Sequence, residues 1–144
     1  MEPQLNETFK SSLPIQIRFN DIDAMGHINN NIYLSYFDLG KNAYLEAVKG
    51  SGLSWTEGAI VIAHVEMDFL KPVFYRRKVA VDSKVIRLGD KSGTFFQQIR
   101  DIENHEVKCT CKSVFVYYDA ETATSVSIPP VWREAINKYE GKEL

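Results

Sequence analysis

Hydrophobic and polar positions follow two different periods along this chain. From Ile32 to about Val48, polar side chains recur at Ser35, Asp38, Asn42, Glu46 and Lys49, three or four residues apart. Around that narrow wet stripe lie Ile32, Tyr33, Tyr36, Phe37, Leu39, Ala43, Tyr44 and Ala47. A helix apolar over most of its circumference is a buried one, so the spacing predicts one long interior helix. Gly40 within it costs ~1 kcal/mol of helix propensity relative to alanine, and its missing side chain is expected to permit close approach of another backbone. "KGSG" (Lys49–Gly52) supplies glycine caps for the far end.

Elsewhere the period is two. "IQIRF" (Ile15–Phe19) reads as a short first strand. In "AIVIAHVEMDFL" (Ala59–Leu70), Val61, Ala63, Val65, Met67 and Phe69 are expected on one face, with His64, Glu66 and Asp68 on the other. "KVAVDSKVIRL" (Lys78–Leu88), "GTFFQQIRDI" (Gly93–Ile102) and "EVKCTCKSVFVYY" (Glu106–Tyr118) follow, joined by "GDKSG" and "ENH" turn chemistry. A short helix is expected over Val131–Tyr139, after Pro129 and Pro130. Short connections favour antiparallel neighbours. The expected class is α+β, a five-stranded antiparallel sheet with one long helix and a short C-terminal helix. One helix covers only part of such a sheet, so its exposed edge is expected to meet a second copy of the chain.

The 144 residues are the size of one domain, taken as 1–144, and at that length roughly 70% of the unfolded surface is hidden without staples. Formal net charge is −2 with cations scattered, which excludes a dedicated nucleic-acid or membrane surface. Cys109 and Cys111 share one face of a strand, a poor geometry for bridging each other, and are expected as reduced core residues. No run approaches the ~20 apolar residues of a membrane span and no apolar signal region begins the chain, so the expected location is cytoplasmic. "NET" at Asn6 matches a glycosylation acceptor but has no secretion signal to give it meaning.

One stretch resists the two periods. "RFNDIDAMGHINNNIYLSYFD" (Arg18–Asp38) concentrates aspartates, a glycine, a histidine and three asparagines just before the apolar helix. A calcium loop wants oxygen ligands at its fifth and twelfth positions, where this chain has Met25 and Ile32, so no metal is expected. Capping by Asn29, Asn30 or Asn31 explains one asparagine and an aspartate, but neither His27 nor the second carboxylate. A third account is chemical. A buried helix points its unpaired amides at whatever precedes its first turn, and those amides can polarise a carbonyl beside a carboxylate acting as base or nucleophile. On composition alone, capping and catalysis both stay open.

The same stretch resembles the signature of hotdog-fold thioesterases, the 4-hydroxybenzoyl-CoA and acyl-ACP thioesterase superfamily. The shared features are an R/Y-F-x-D-x-D-x-x-G-H-x-N-N-x-x-Y run, a central helix, and a later strand ending in "FLKPV" (Phe69–Val73). The match extends from about Ile15 to Tyr118. The resemblance implies a hotdog fold, in which the sheet wraps around the helix, and hydrolysis of an acyl-CoA or acyl carrier protein thioester to an acid and a free thiol. It implies Asp23 as the catalytic carboxylate and the backbone amide near Asn30 as oxyanion donor. Gly26 would permit the sharp approach to the helix, and His27 with Asn29 would shape or hydrogen-bond the loop, with Asp21 structural. It further implies Tyr33 beside the acyl pocket and an acidic residue, here Asp38, reaching it; a solvated place on the wet stripe is the competing account of Asp38. Arg87, Lys91 and Ser92 would hold the pantetheine arm or phosphates, with an ordinary place on the surface as the competing account of each and "RRK" (Arg76–Lys78) as the competing basic patch. His64 is expected in a structural hydrogen bond. No metal or redox cofactor is implied, and the expected assembly is a homodimer with pockets between subunits, able to pair into a tetramer. The fold also hosts hydratases and dehydratases, and a non-catalytic acyl-thioester-binding protein is the remaining alternative.

Overall fold

The computed structural model describes residues 8–50 and 59–144. Asn6 and Gly52 therefore lie outside the described residues. Strand β1 (Ser11–Ile15) leads through two short 3-10 turns to helix α1 (Tyr33–Lys49), followed by β2 (Ala59–Phe69), β3 (Val79–Leu88), β4 (Ser92–Asp101), β5 (Val107–Asp119), a two-residue β6 (Thr124–Ser125) and helix α2 (Pro130–Glu140). The sheet order is β1-β3-β4-β5-β2, antiparallel throughout, with β6 beside β5. The expected α+β architecture is present, a curled sheet around one long helix, with β6 as an addition too short to predict.

Register explains which residues meet α1. Directly paired residues share a face, so Val81–Ile99–Cys109–Phe69 and Ser83–Gln97–Cys111–Met67 run across the sheet beneath the helix. Tyr33, Tyr36 and Phe37 pack onto this face with Val79, Val81, Ile99, Cys109 and Cys111. Both cysteines are free and buried, as expected; burial pushes their thiols up, to about 12 and about 11. Gly40 marks the closest approach: a Cβ there would stand 2.4 Å from Val81 Cγ1, 2.9 Å from Gln97 Nε2 and 3.0 Å from Ser83 Oγ. Gln97 Nε2 donates to the Phe37 carbonyl and to Ser83 Oγ, tying helix to sheet where that side chain is missing.

Two strand expectations need correcting. The first strand is Ser11–Ile15, not Ile15–Phe19, because Ile15 pairs with Val79, the first residue of β3, and beyond that point no partner strand exists among the described residues. Alternation persists to Ile17, but the ladder ends at Ile15. In β2 the register shifts between Ile62 and His64. That bulge turns Ile60 and Ile62 inward and leaves Val61 and Ala63 exposed, whereas Val65 and Met67 point inward as expected. Among the described residues, the outer edge of β2 has no strand beside it.

Candidate active site

The polar stretch folds into a small hairpin. Asn29 N–H donates to the Asp21 carbonyl, Ile22 bridges Ile28, and Asp23 N–H donates to the His27 carbonyl. Three residues, Ala24, Met25 and Gly26, close the turn, with Gly26 N–H donating to the Asp23 carbonyl. Gly26 has φ +84°, the left-handed position that such a three-residue loop requires. This is the physical reason for the glycine. Ile28 N–H donates to the Val73 carbonyl and His27 bridges Phe74, so the hairpin leans on the segment after β2.

Asp23 sits at the tip. Its Oδ1 accepts Met25 N–H at 2.9 Å, and its Oδ2 lies 3.2 Å from His27 Nδ1. The carboxyl is partly covered, with 28% of its side chain exposed. The His27 ring lies edge-on to Phe74. After the hairpin, Asn29 opens a 3-10 turn over Asn30–Ile32 that runs into α1. Capping by asparagine is not realised: neither Asn29 nor Ile32 makes a side-chain cap bond. Ile32 N–H donates to the Asn29 carbonyl, and among the described residues the Asn30 and Asn31 N–H groups donate to nothing. Two hairpin rungs, about 7 Å, separate Asp23 from Asn29 and those amides.

Asp21 is the more buried carboxylate, at 0% exposure. It accepts the Tyr36 hydroxyl at 2.6 Å, Arg18 N–H at 3.0 Å and Arg18 Nη2 at 2.9 Å. Burial pushes its pKa up, but these donors more than offset it and hold the carboxyl below its usual range. The same bond and burial drive the Tyr36 hydroxyl far up. Nothing in the sequence pattern points to Tyr36 as a partner for Asp21, 15 residues away.

The other expected residues divide. Tyr33 is a core residue, ring-to-edge with Phe69 at 5.3 Å, its hydroxyl pushed up to about 12 by burial. Asp38 lies on the wet stripe, largely exposed, 3.3 Å from the ammonium of Lys41. It lines an open groove of about 560 Å³ between α1 and β1, with Arg18, Ser35, Leu39 and Asn42 among its walls. Lys41 itself is buried, an exception to the helical pattern that periodicity misses. His64 Nε2 lies 3.5 Å from Glu66 Oε1 on the exposed outer face.

Arg87, Lys91 and Ser92 are not brought to Asp23 within one chain. Asp23 lies at the Val79 end of β3 and the basic turn at the Leu88 end, about 30 Å along a ten-residue strand. The turn is fixed by α2, where Arg133 donates to the Gly89 carbonyl at 2.6 Å, and by Ser127, which donates to Asp90. In the competing patch, Arg77 is committed to buried Asp101 at 2.8 Å, leaving Arg76 over the Tyr75 ring and Lys78 exposed. Two exposed apolar side chains lie at the tip, Met25 (77%) in the turn itself and Phe74 (51%) against His27.

A short hairpin offers a carboxylate at its tip, and α1, buried on its sheet-facing side but exposed at Leu34 and Leu39 rather than interior as expected, begins after it with two unpaired amides. Residues 17–136 match the family described as the thioesterase-like superfamily, and the chain belongs to that family. A thioesterase from Thermus thermophilus, solved complexed with coenzyme A and Zn, is 27% identical with TM-score 0.82 over 94% of this chain and 98% of that one. A predicted thioesterase from Bacillus stearothermophilus is 26% identical, TM-score 0.80, over 90% and 95%. DHNA-CoA thioesterase from Staphylococcus aureus shares the fold, at 21% identity and TM-score 0.79 over 91% of each chain. The fold is thus the hotdog fold and the protein is a thioester hydrolase. Among the described residues no helix is long and apolar enough to cross a membrane.

Proposed function

We propose that the protein hydrolyses acyl-CoA thioesters, with Asp23 as the catalytic carboxylate and the Asn30–Asn31 amides as oxyanion donors. The observation that carries this is a partly covered carboxyl at the hairpin tip with two unpaired helix-start amides directly after the same hairpin, about 7 Å away. A thioester carbonyl seated between them would be polarised as its oxygen gains charge, while Asp23 attacks its carbon or removes a proton from water. His27, 3.2 Å from Asp23, orients the carboxyl, and Gly26 sets the turn. Breakdown of the tetrahedral species expels the thiolate, which is protonated to the free thiol; on the base route the acid forms in the same step, and on the attack route water then hydrolyses the acyl–Asp23 anhydride, releasing the acid and restoring the carboxylate.

The site is completed by a second copy. The free β2 edge, flanked by exposed Val61, Phe69, Leu70 and Phe74, pairs antiparallel with the same edge of a partner. A two-fold axis there sets the partner's Ala59 end beside this chain's Phe69 end. The partner's β3–β4 turn, with Arg87, Lys91 and Ser92, then stands at the Asp23 end, although in the same chain it stands at the opposite one. Those cations suit the phosphates of coenzyme A, the molecule bound in the Thermus thioesterase structure.

Asp23→Asn should lower thiol release from acyl-CoA about 100- to 10,000-fold while the variant keeps its fold and oligomeric size. Single turnover in ¹⁸O-water separates the two roles: label entering the Asp23 side chain means direct attack. Near-normal turnover by the variant removes Asp23 from the mechanism.

A further inference from the structure

Asp21 is a buried anion that hydrolysis at Asp23 does not use, yet it joins three pieces of the site. Its carboxylate accepts the Arg18 backbone and guanidinium from the segment after β1, and the Tyr36 hydroxyl from α1. Its own carbonyl accepts Asn29 N–H, at the last hairpin rung before the unpaired amides. Arg18 and Tyr36 are the charged and titratable groups that face it. Among the described residues, the bond from Tyr36 to Asp21 is the single side-chain hydrogen bond that crosses from the hairpin to α1. Asp23 belongs to that hairpin, and the Asn30–Asn31 amides belong to the start of that helix. With no asparagine cap at the junction, this bond is the polar tie between the two, beside the packing of Ile28 in one buried cluster with Tyr33, Tyr36 and Phe37.

We infer that Tyr36 is a positioning residue, its hydroxyl acting through Asp21 to set the Asp23 carboxyl against the Asn30–Asn31 amides. The inference rests on the assignment of those groups as base or nucleophile and oxyanion donors. Tyr36→Phe is the clean perturbation, because the ring stays 3% exposed with its edge against Tyr33 and only the hydroxyl is lost. Small misplacements of reacting groups cost about 100-fold, so kcat is expected to fall about 10- to 100-fold with KM changed by less than about threefold. Losing its first donor also lets the Asp21 carboxyl rise, so the acid limb of the variant's pH profile moves to higher pH. A role in folding alone would lower the melting temperature and leave kcat per folded molecule and the acid limb where they were.

The experiment measures kcat, KM and their pH profiles for wild type, Tyr36→Phe, Asp21→Asn and the double variant, with hydrogen exchange of amides 22–29 alongside. The relay predicts a kcat loss without a matching KM change, faster exchange at the hairpin rungs, and a double variant no worse than the worse single. Wild type that hydrolyses thioesters while Tyr36→Phe keeps kcat within twofold overturns the relay and leaves Asp23 standing. Wild type inactive on every acyl-CoA overturns the Asp23 assignment instead, and exchange then decides: unchanged rates at the rungs in Tyr36→Phe overturn the relay, and faster rates support the Tyr36–Asp21 tie.

Discussion

Replacing Gly40 by alanine sets two effects of known sign against each other. Alanine is the better helix former by ~1 kcal/mol, so an unpacked helix would gain. Here the added methyl meets Val81 Cγ1 at 2.4 Å, closer than real Cβ contacts come, with Gln97 Nε2 at 2.9 Å and Ser83 Oγ at 3.0 Å. Val81 and Gln97 are both fully buried, so neither swings away into solvent. Overpacking of such a core costs ~1–3 kcal/mol, and displacing Gln97 from Ser83 and the Phe37 carbonyl costs ~1 kcal/mol more. Clash wins by about 1–3 kcal/mol, or roughly 3–10 °C in melting temperature at this chain length. Thermal melts followed by circular dichroism at one fixed protein concentration measure it. Ala47→Gly, at an exposed helical position, calibrates the propensity term alone at ~1 kcal/mol. A Gly40→Ala variant melting at or above wild type would refute the close approach and, with it, the placement of α1 on the sheet.

Two further outcomes follow from groups away from the hairpin. The Arg77 hydrogen bond, aided by the Glu103 and Asn104 amides and opposed by burial, holds the Asp101 carboxyl down at about 2 against 3.8. A folded-state value below the unfolded one stabilises above the unfolded pKa and is lost as pH falls through the folded value. Asp101→Asn should therefore melt below wild type near neutrality, with the gap closing as pH approaches 2; a gap constant with pH contradicts the pairing. Val61→Lys places a charge on the free β2 edge and, if the proposed dimer forms there, should shift sedimentation toward monomer with thiol release falling in parallel; a fully active monomer would refute the composite site.

How much of the fold is legible in the sequence depends on how far apart the interacting residues lie. Local patterns suffice for the extents of β3, β4, β5 and both helices but not for every buried face: residues 79–85 of β3 are buried on both sides, and Lys41 is buried on α1. The β2 bulge, by contrast, is a two-against-one mismatch between Ile62–His64 and β5, and alternation read along one strand cannot register its partner's count. The first strand is displaced for the same reason: Ile15–Phe19 alternates well, but only Ile15 has a neighbour to pair with.

The site shows the same division more sharply. The resemblance flags Gly26 and His27 as loop residues, but the three-residue turn that closes Asp23 against His27 is seen only in the structure. The Asp21–Tyr36 bond spans 15 positions and the Arg133–Gly89 clamp 44, and neither residue type advertises its partner. Arg87, Lys91 and Ser92 have the chemistry for phosphates but stand at the wrong end of the sheet. That mismatch is informative rather than fatal. In the proposed dimer, a basic turn about 30 Å from the carboxylate in its own chain, on a fold whose β2 edge is unpaired among the described residues, would reach the carboxylate's end of the partner. On that proposal the free edge and the distant cations share one explanation, and disrupting the edge tests both together.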